Sequence, residues 1–237
     1  RAAHLRSRPG LRQELGIIHT PPQIARYMAQ AADRAVRDGL GLKGGLADPA
    51  VSIVDPACGT GVFGAACLAV AGQRKTAPCG FLGVDIDSEA VRASSRALTD
   101  GFLAHGWSAR HVTANVLGWE QIPDEPAGAT ARVMIGNPPW GGRSKSRGLS
   151  LSDRWLADFR RDQHGQRLTE RRLGVLSDDY VRFWRWCAEQ ARLAPRGGVV
   201  ALVTNDSFLE GPLHRGMRGA LLRWFDAIEV LSLGGGS

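Results

Sequence analysis

The residues Asn137-Pro138-Pro139-Trp140 carry groups suited to one kind of chemistry. Two successive prolines fix φ and remove two N–H donors, so the segment predicts a stiff, extended turn with outward-pointing carbonyls. The Asn137 side-chain oxygen and the Pro138 carbonyl can accept both hydrogens of one –NH2 group, and Trp140 offers a face for stacking. A flat heterocycle with an exocyclic amine would fit this turn. The alternative is a plain proline turn that ends a strand.

The turn follows the apolar run 131–136, which predicts a buried strand. Further runs predict strands at 51–54, 81–84, 111–114, 199–203 and 228–233. Helical spacing predicts helices at 20–35, 88–98, 179–193 and 212–225, and small residues predict a further helix that follows Gly64 and runs to Ala71. Thr20 and Gln23 have capping-box spacing, with Pro21 expected at the first helical position. Strands that alternate with helices indicate a single α/β domain with a doubly wound, Rossmann-like sheet.

Polar residues follow four of the predicted strands. They are Asp55, Asp85, Asn115 and Asn137. Because ligands of doubly wound folds lie at the carboxyl ends of the strands, we expect these side chains to line one crevice.

The glycine-rich turn after the first strand indicates a cofactor, and two kinds remain open. Gly59-x-Gly61-x-x-Gly64, with Asp85 further on, matches the dinucleotide fingerprint of nicotinamide and flavin enzymes. Asp55 places a carboxylate beside the turn, where it would repel a pyrophosphate. A cationic ligand without phosphate, such as S-adenosylmethionine, suits Asp55 better, and Asp85 would then hold the ribose hydroxyls.

The composition is that of one globular domain with a basic surface. The 237 residues include 27 arginines and three lysines, the net charge is +7 and the isoelectric point is about 9.9. This balance reflects either a GC-rich genome or a polyanionic partner such as nucleic acid. The four cysteines have no metal-binding spacing, so we expect no metal, reduced thiols and a cytoplasmic location. No apolar stretch approaches a membrane span.

Four segments, in this order, resemble the amino-methylating, adenine-specific DNA methyltransferases of restriction–modification or phage-defence systems. They are the helix start Thr20-Pro21-Pro22, residues 55–63 (Asp-Pro-Ala-Cys-Gly-Thr-Gly-Val-Phe), residues 83–87 (Gly-Val-Asp-Ile-Asp) and Asn137-Pro138-Pro139-Trp140. The resemblance runs from about Gly16 to Leu233. It implies one catalytic domain over 1–237, with a helical cofactor segment at about 1–45 and an insertion at about 141–178.

The resemblance also implies the cofactor, S-adenosylmethionine, and the residues of the site. The implied cofactor contacts are Thr20, Pro22, Asp55, Ala57, Cys58, Gly59, Gly61, Phe63, Asp85, Ile86, Asn115 and Asn137. The implied catalytic residues are Asn137, Pro138, Pro139 and Trp140. Two positions depart from the family pattern: the family usually has Asp where Asn115 stands, and Tyr or Phe where Trp140 stands.

The implied reaction moves a methyl group from S-adenosylmethionine to the exocyclic amine of adenine in DNA. This amine is a poor nucleophile because its lone pair is delocalised into the ring. Asn137 Oδ1 and the Pro138 carbonyl would hold its hydrogens and direct the lone pair towards the methyl group, while Trp140 stacks on the base and favours the sulfonium. Positioning then supplies most of the catalysis, and no strong base is required. The base would be flipped out of the duplex to reach the pocket.

Residues 141–178 hold nine Lys or Arg and five Asp or Glu, a net charge of +4. They form either a DNA-contacting lid or a solvated loop. In the family a target-recognition domain follows the last strands. The chain starts at Arg1 rather than Met and ends soon after Leu233, so we expect a catalytic part that needs a missing C-terminal portion or a partner subunit for recognition.

Three other functions remain open. RNA and protein-glutamine methyltransferases also use Asn-Pro-Pro-aromatic, although the Thr20-Pro21-Pro22 helix start favours DNA. An oxidoreductase could use the Gly59–Gly64 turn. A non-catalytic DNA-binding subunit could retain the fold, but the intact residues 137–140 argue against it.

Overall fold

The computed structural model describes residues 20–139, 155–162, 164–169, 174, 176 and 178–233. Its centre is a five-stranded, all-parallel sheet with the strand order β3-β2-β1-β4-β5. The strands are β1 Val51–Asp55, β2 Gly80–Asp85, β3 Ala109–Thr113, β4 Ala131–Gly136 and β5 Gly198–Leu202. The central strands β1 and β4 are buried along their whole length, which explains why they are near-continuous apolar runs in the sequence.

Helices cover both faces of the sheet. They are α1 Pro22–Asp38, α2 Val62–Ala71, α3 Ser88–Ala104, α4 Asp179–Leu193, α5 Ser207–Glu210 and α6 Arg215–Trp224, with 3-10 turns at Gly45–Ala47, Val116–Gly118 and Pro212–His214. One core cluster joins α1, α2 and α3 to one face, and a second joins α4 to the other. The predicted Rossmann-like α/β fold is therefore confirmed. No helix in the described part of the chain has the length and apolar character of a membrane span.

The strand order of the sheet reverses between β1 and β4, and this position in the sheet defines the crevice. The chain proceeds outward from β1 to β2 and β3, then returns to β4 on the other side of β1. The helices that follow β1 and β4 accordingly pack on opposite faces of the sheet, and ligands of open α/β sheets bind at the strand ends at such a point.

Several local predictions differ from the structure. Thr20 is not the helix cap: the N-cap is Pro21, which makes no side-chain capping bond, and the helix starts at Pro22. Helix α3 continues past the predicted end to Ala104. Residues 228–233 are not a strand but an irregular segment with exposed apolar side chains. A run rich in apolar residues suits a strand, yet a strand also requires a hydrogen-bonding neighbour, and none of the described strands pairs with this segment.

A buried carboxylate holds α1 against the rest of the domain. Asp33 on α1 is 3% exposed. It accepts bonds from both terminal nitrogens of Arg74, at 2.5 and 2.7 Å, and from the Leu46 N–H at 2.9 Å. Burial alone would raise the pKa of Asp33, but the bonds from Arg74 and Leu46 lower it, so the side chain is ionised in the fold. Because α1 is fixed in this way, its first residues are held at a defined position near β4.

Candidate active site

The turn between β1 and α2 presents open backbone at one glycine. The Cys58 N–H donates to a carbonyl of β2 over 2.8 Å, which folds the turn back across the strand ends. Gly59 and Gly61 have φ values of 51° and 95°, which favour glycine. A Cβ at Gly59 would meet nothing within 4 Å, whereas one at Gly61 would lie 2.7 Å from Ser94 Oγ. Gly59 is therefore accessible to a ligand, while Gly61 is required by packing against α3.

Asp85 joins this turn to the start of α3. Its Oδ2 accepts from the Gly59 N–H and its Oδ1 from the Asp87 N–H, each over 2.9 Å. Each carboxylate oxygen can accept more than one bond, so Asp85 can also accept from vicinal hydroxyls. The next residue, Ile86, is 68% exposed and offers an apolar surface beside the carboxylate. The end of β2 thus has the polar and apolar groups that a nucleoside needs.

Asp55 is wholly buried at the end of β1. Its Oδ1 accepts from the Ala57 N–H over 3.2 Å, and its Oδ2 has no hydrogen-bond partner among the described residues. Burial raises the pKa of Asp55 well above its ordinary value, and the nearby charge of Asp85 raises it further. A buried acceptor without a partner is costly, and an ammonium donor would satisfy it. The residues present therefore fit a cationic cofactor without phosphate.

Two more residues predicted to contact the cofactor are enclosed, as Asp55 is. Phe63 is 2% exposed and belongs to the core cluster of α1 and α2, where it supports α2 from inside, and its contact with the cofactor stays a prediction. Cys58 is also 2% exposed. Burial raises the pKa of its thiol, as do the charges of Asp55 and Asp85, so this cysteine is not an activated nucleophile.

Asn137 lies immediately after β4 and is tethered to the start of α1. Its Nδ2 donates to Thr20 Oγ1 over 3.0 Å. Thr20 therefore holds the carboxamide instead of capping the helix. Pro138 is buried and Pro139 is partly buried, so packing of these two prolines holds the turn that carries the Asn137 carboxamide. Trp140 lies outside the described residues.

Asn115 and Pro22 stand at the margins of the crevice. Asn115 is exposed at the end of β3, and its Oδ1 accepts from the Leu117 N–H over 3.1 Å, which caps the 3-10 turn Val116–Gly118. An amide oxygen has a second lone pair, so this bond does not prevent Asn115 from accepting another. Pro22 is the exposed first residue of α1.

The connection after β5 also borders the site, and no role was predicted for it from the sequence. The Val203 N–H donates to the Gly136 carbonyl over 3.0 Å, so residues 204–208 begin beside Asn137. The Tyr180 hydroxyl lies 3.2 Å from Ser207 Oγ and 2.8 Å from His214 Nε2, which fixes this connection to α4. The signal was available, because Thr204 to Ser207 are polar residues that follow a strand.

The strand ends of β1, β2 and β4 together present a carboxylate pair, an open glycine and an oriented carboxamide. In the described part of the chain, no group of three His, Cys, Asp or Glu side chains could hold a metal ion. The arrangement can bind a cationic nucleoside derivative along β1 and β2 and a hydrogen-bond donor group at β4.

No protein-family profile and no curated protein sequence matches this chain. Solved structures do. The DrdV–DNA complex has a TM-score of 0.70 at 23% identity, over 94% of this chain and 24% of that one. The type ISP restriction–modification enzyme LlaBIII bound to DNA has a TM-score of 0.70 at 19% identity, over 93% of this chain and 18% of that one. A Listeria monocytogenes protein assigned to the class I S-adenosylmethionine-dependent methyltransferases has a TM-score of 0.58 at 14% identity, over 93% and 57%.

These likenesses establish the fold. The chain has a Rossmann-like fold, which it shares with the protein assigned to the class I S-adenosylmethionine-dependent methyltransferases and with part of DrdV and of LlaBIII. It spans about a quarter or less of the length of DrdV and LlaBIII.

Proposed function

We infer that this chain is the catalytic domain of an S-adenosylmethionine-dependent methyltransferase that modifies the exocyclic amine of adenine in DNA. One observation carries this inference. Asn137, followed by two prolines, lies at the carboxyl end of β4, next to the end of β1 where the glycine turn begins. A hydrogen-bond acceptor for an amine and a candidate cofactor site therefore lie side by side where the strand order of the sheet reverses.

The residues at β1 and β2 would hold the cofactor. Asp85, with Ile86 beside it, would take the nucleoside, and the unpartnered Oδ2 of Asp55 would attract the cationic end. When bound, S-adenosylmethionine supplies an electrophilic methyl group. Asp55 is enclosed, so it would act by shaping the turn and, where the cationic end of the cofactor lowers its raised pKa, through its charge.

Asn137 and Pro138 would hold the acceptor amine. Asn137 Nδ2 donates to Thr20 Oγ1, which orients the carboxamide, and Oδ1 is the atom proposed to accept from the substrate. The Pro138 carbonyl would accept the second hydrogen of the amine. Two acceptors on one amine orient its lone pair towards the methyl group, so the geometry itself replaces a strong base. Trp140, two residues after Pro138, is proposed to stack on the base.

The oxidoreductase reading has less support from the same geometry. Gly61 is required by Ser94, and a Cβ at Gly64 would lie 2.6 Å from a methyl of Leu98, so packing explains both glycines without a pyrophosphate. The Gly59 N–H, which would face such a phosphate, donates to Asp85 instead. The glycine pattern therefore does not favour a dinucleotide.

DNA is the proposed substrate because of the basic composition of the chain and its likeness to DrdV and LlaBIII, whose structures contain DNA. We also propose that it serves a restriction–modification or phage-defence system, as part of a larger protein or with a partner subunit that contributes sequence recognition. RNA and protein glutamine are the competing substrates.

Nucleoside mass spectrometry tests the proposed reaction. The chain is incubated with labelled S-adenosylmethionine and, separately, with random duplex DNA, RNA and a protein mixture. We expect label in N-methyladenine from DNA, at low yield and with little sequence preference. Label confined to RNA or to glutamine would replace the substrate, and bound flavin or nicotinamide in the purified protein would overturn the cofactor assignment.

A further inference from the structure

The described part of the 141–178 insertion is packed and folded. Leu156, Phe159 and Leu176 are wholly buried. They form a third core cluster with residues of α4 and α6, among them Val181 and Met217. This packing excludes the solvated-loop alternative for these residues, because a loop in solvent would leave the apolar side chains exposed.

A short hairpin projects from this base, and we call its two limbs, residues 160–162 and 166–168, the basic hairpin. Arg161 and Arg167 form an antiparallel bridge. The Leu168 N–H donates to the Arg160 carbonyl and the Asp162 N–H to the Gln166 carbonyl, each over 2.8 Å. These bonds on both sides of the bridge hold the two limbs together.

A glycine of α6 fixes where the hairpin lies. A Cβ at Gly216 would collide with the Phe159 carbonyl oxygen and lie 2.6 Å from the Arg161 carbonyl oxygen. Only glycine allows the hairpin backbone to contact the first turn of α6 this closely. Leu168 is also buried, so both limbs are anchored.

The exposed charges of the hairpin are arranged for an anion. Arg161 and Arg167 are both exposed, and bridged residues place their side chains on one face of the hairpin. Like charges placed opposite each other destabilise a strand pair. Among the described residues no carboxylate forms an ion pair with either arginine. Asp162 accepts from two backbone N–H groups of its own turn instead.

The basic hairpin lies at the same edge of the sheet as Asn137. The connection after β5 starts beside Asn137, through the bond from the Val203 N–H to the Gly136 carbonyl. The connection leads into α6, whose first turn contacts the hairpin, and Arg218 of α6 donates back to two carbonyls of the connection, each over 2.8 Å. The connection after β5, α6 and the basic hairpin therefore pack together, and they include both the segment that borders the site and the two arginines.

We propose that Arg161 and Arg167 bind backbone phosphates of duplex DNA beside the flipped base. This rests on the proposed function, which makes DNA the substrate. Guanidinium groups match phosphate oxygens with paired hydrogen bonds, and their attraction to phosphate relieves the repulsion between the two side chains. The other exposed residues of the hairpin, such as Gln166, are polar, which suits a nucleic acid rather than a lipid surface.

The test compares salt dependence in matched variants of the 237-residue chain. Binding to a labelled random 30-base-pair duplex is measured by fluorescence anisotropy between 50 and 200 mM NaCl. Log affinity falls with log salt, and each phosphate contact contributes about 0.9 to the magnitude of this slope. Arg161→Ala/Arg167→Ala should therefore reduce the magnitude of the slope by about 2 and the affinity at 100 mM by about 60-fold. The control is Arg92→Ala/Arg96→Ala, which removes two exposed charges from α3 on the other side of the sheet.

An unchanged slope in the hairpin variant, an equal loss in the control, or no binding of the duplex by the wild-type chain would overturn the proposal. A loss seen only with a labelled RNA hairpin would also overturn it in favour of RNA. Calorimetry with S-adenosylmethionine separates the two inferences. If the wild-type chain binds the cofactor but the hairpin variant shows no change of slope, only the hairpin proposal is refuted. If the wild-type chain binds no cofactor, the proposed function is refuted.

Discussion

The contact between Thr20 and Asn137 allows a direct test of how the candidate catalytic turn is oriented. Thr20→Val keeps the shape of the side chain but removes the oxygen that accepts from Asn137 Nδ2 over 3.0 Å. A hydrogen bond between neutral groups contributes about 0.5–1.5 kcal/mol. If the bond serves to orient the carboxamide in the transition state, its loss lowers kcat by about 2- to 13-fold.

Methyl transfer is measured with labelled S-adenosylmethionine at increasing cofactor concentration. Thr20→Ser is the matched control, because it keeps the hydroxyl, and its kcat should stay close to that of the wild type. Thr20 is also a proposed cofactor contact, so the distinction between kcat and KM matters. A wild-type kcat in Thr20→Val, or a loss that saturating cofactor fully restores, would refute the orienting role. An equal loss in both variants would do the same.

Four further variants test residues at or just after the ends of β4, β2 and β1. Asn137→Ala should abolish methyl transfer and retain most of the cofactor affinity; near-normal turnover would contradict the mechanism. Asp85→Ala should weaken cofactor binding by about 1.5–3 kcal/mol, the range for bonds to a charged group, whereas Asp87→Ala, which removes the α3 cap, should lower stability and leave affinity intact. Calorimetry and thermal unfolding check both. Because the pKa of Asp55 is raised in the fold, its contribution to stability is present below about pH 4 and is lost as pH rises through the folded value. Asp55→Asn should therefore gain unfolding free energy over the wild type, by about 1.4 kcal/mol per pH unit above pH 4 until the folded pKa is passed. Denaturant unfolding from pH 4 to 8 with a pH-independent difference would contradict this.

The sequence alone determined the layers of the fold and the edge at which the site lies. The predicted bounds of β4 and α4 agree with the structure, because an apolar run and an apolar helical face are local patterns. The ends of parallel strands meet at one edge, so Asp55, Asp85 and Asn137 could be grouped without coordinates. Each of these inferences needs only the neighbouring residues and one rule of sheet geometry.

Tertiary structure decided which partner each side chain takes. Thr20 has the residue type and spacing of a helix cap, yet it binds Asn137, 117 residues away. Phe63 follows the glycine turn in the sequence, but its side chain is buried in the core. Position 216 must be glycine because a Cβ there would collide with a carbonyl oxygen of a segment distant in sequence. The strand-like pattern at 228–233 has no strand beside it. In each case the outcome depends on which groups the folded chain brings within hydrogen-bond or packing distance, and local sequence does not encode those distances.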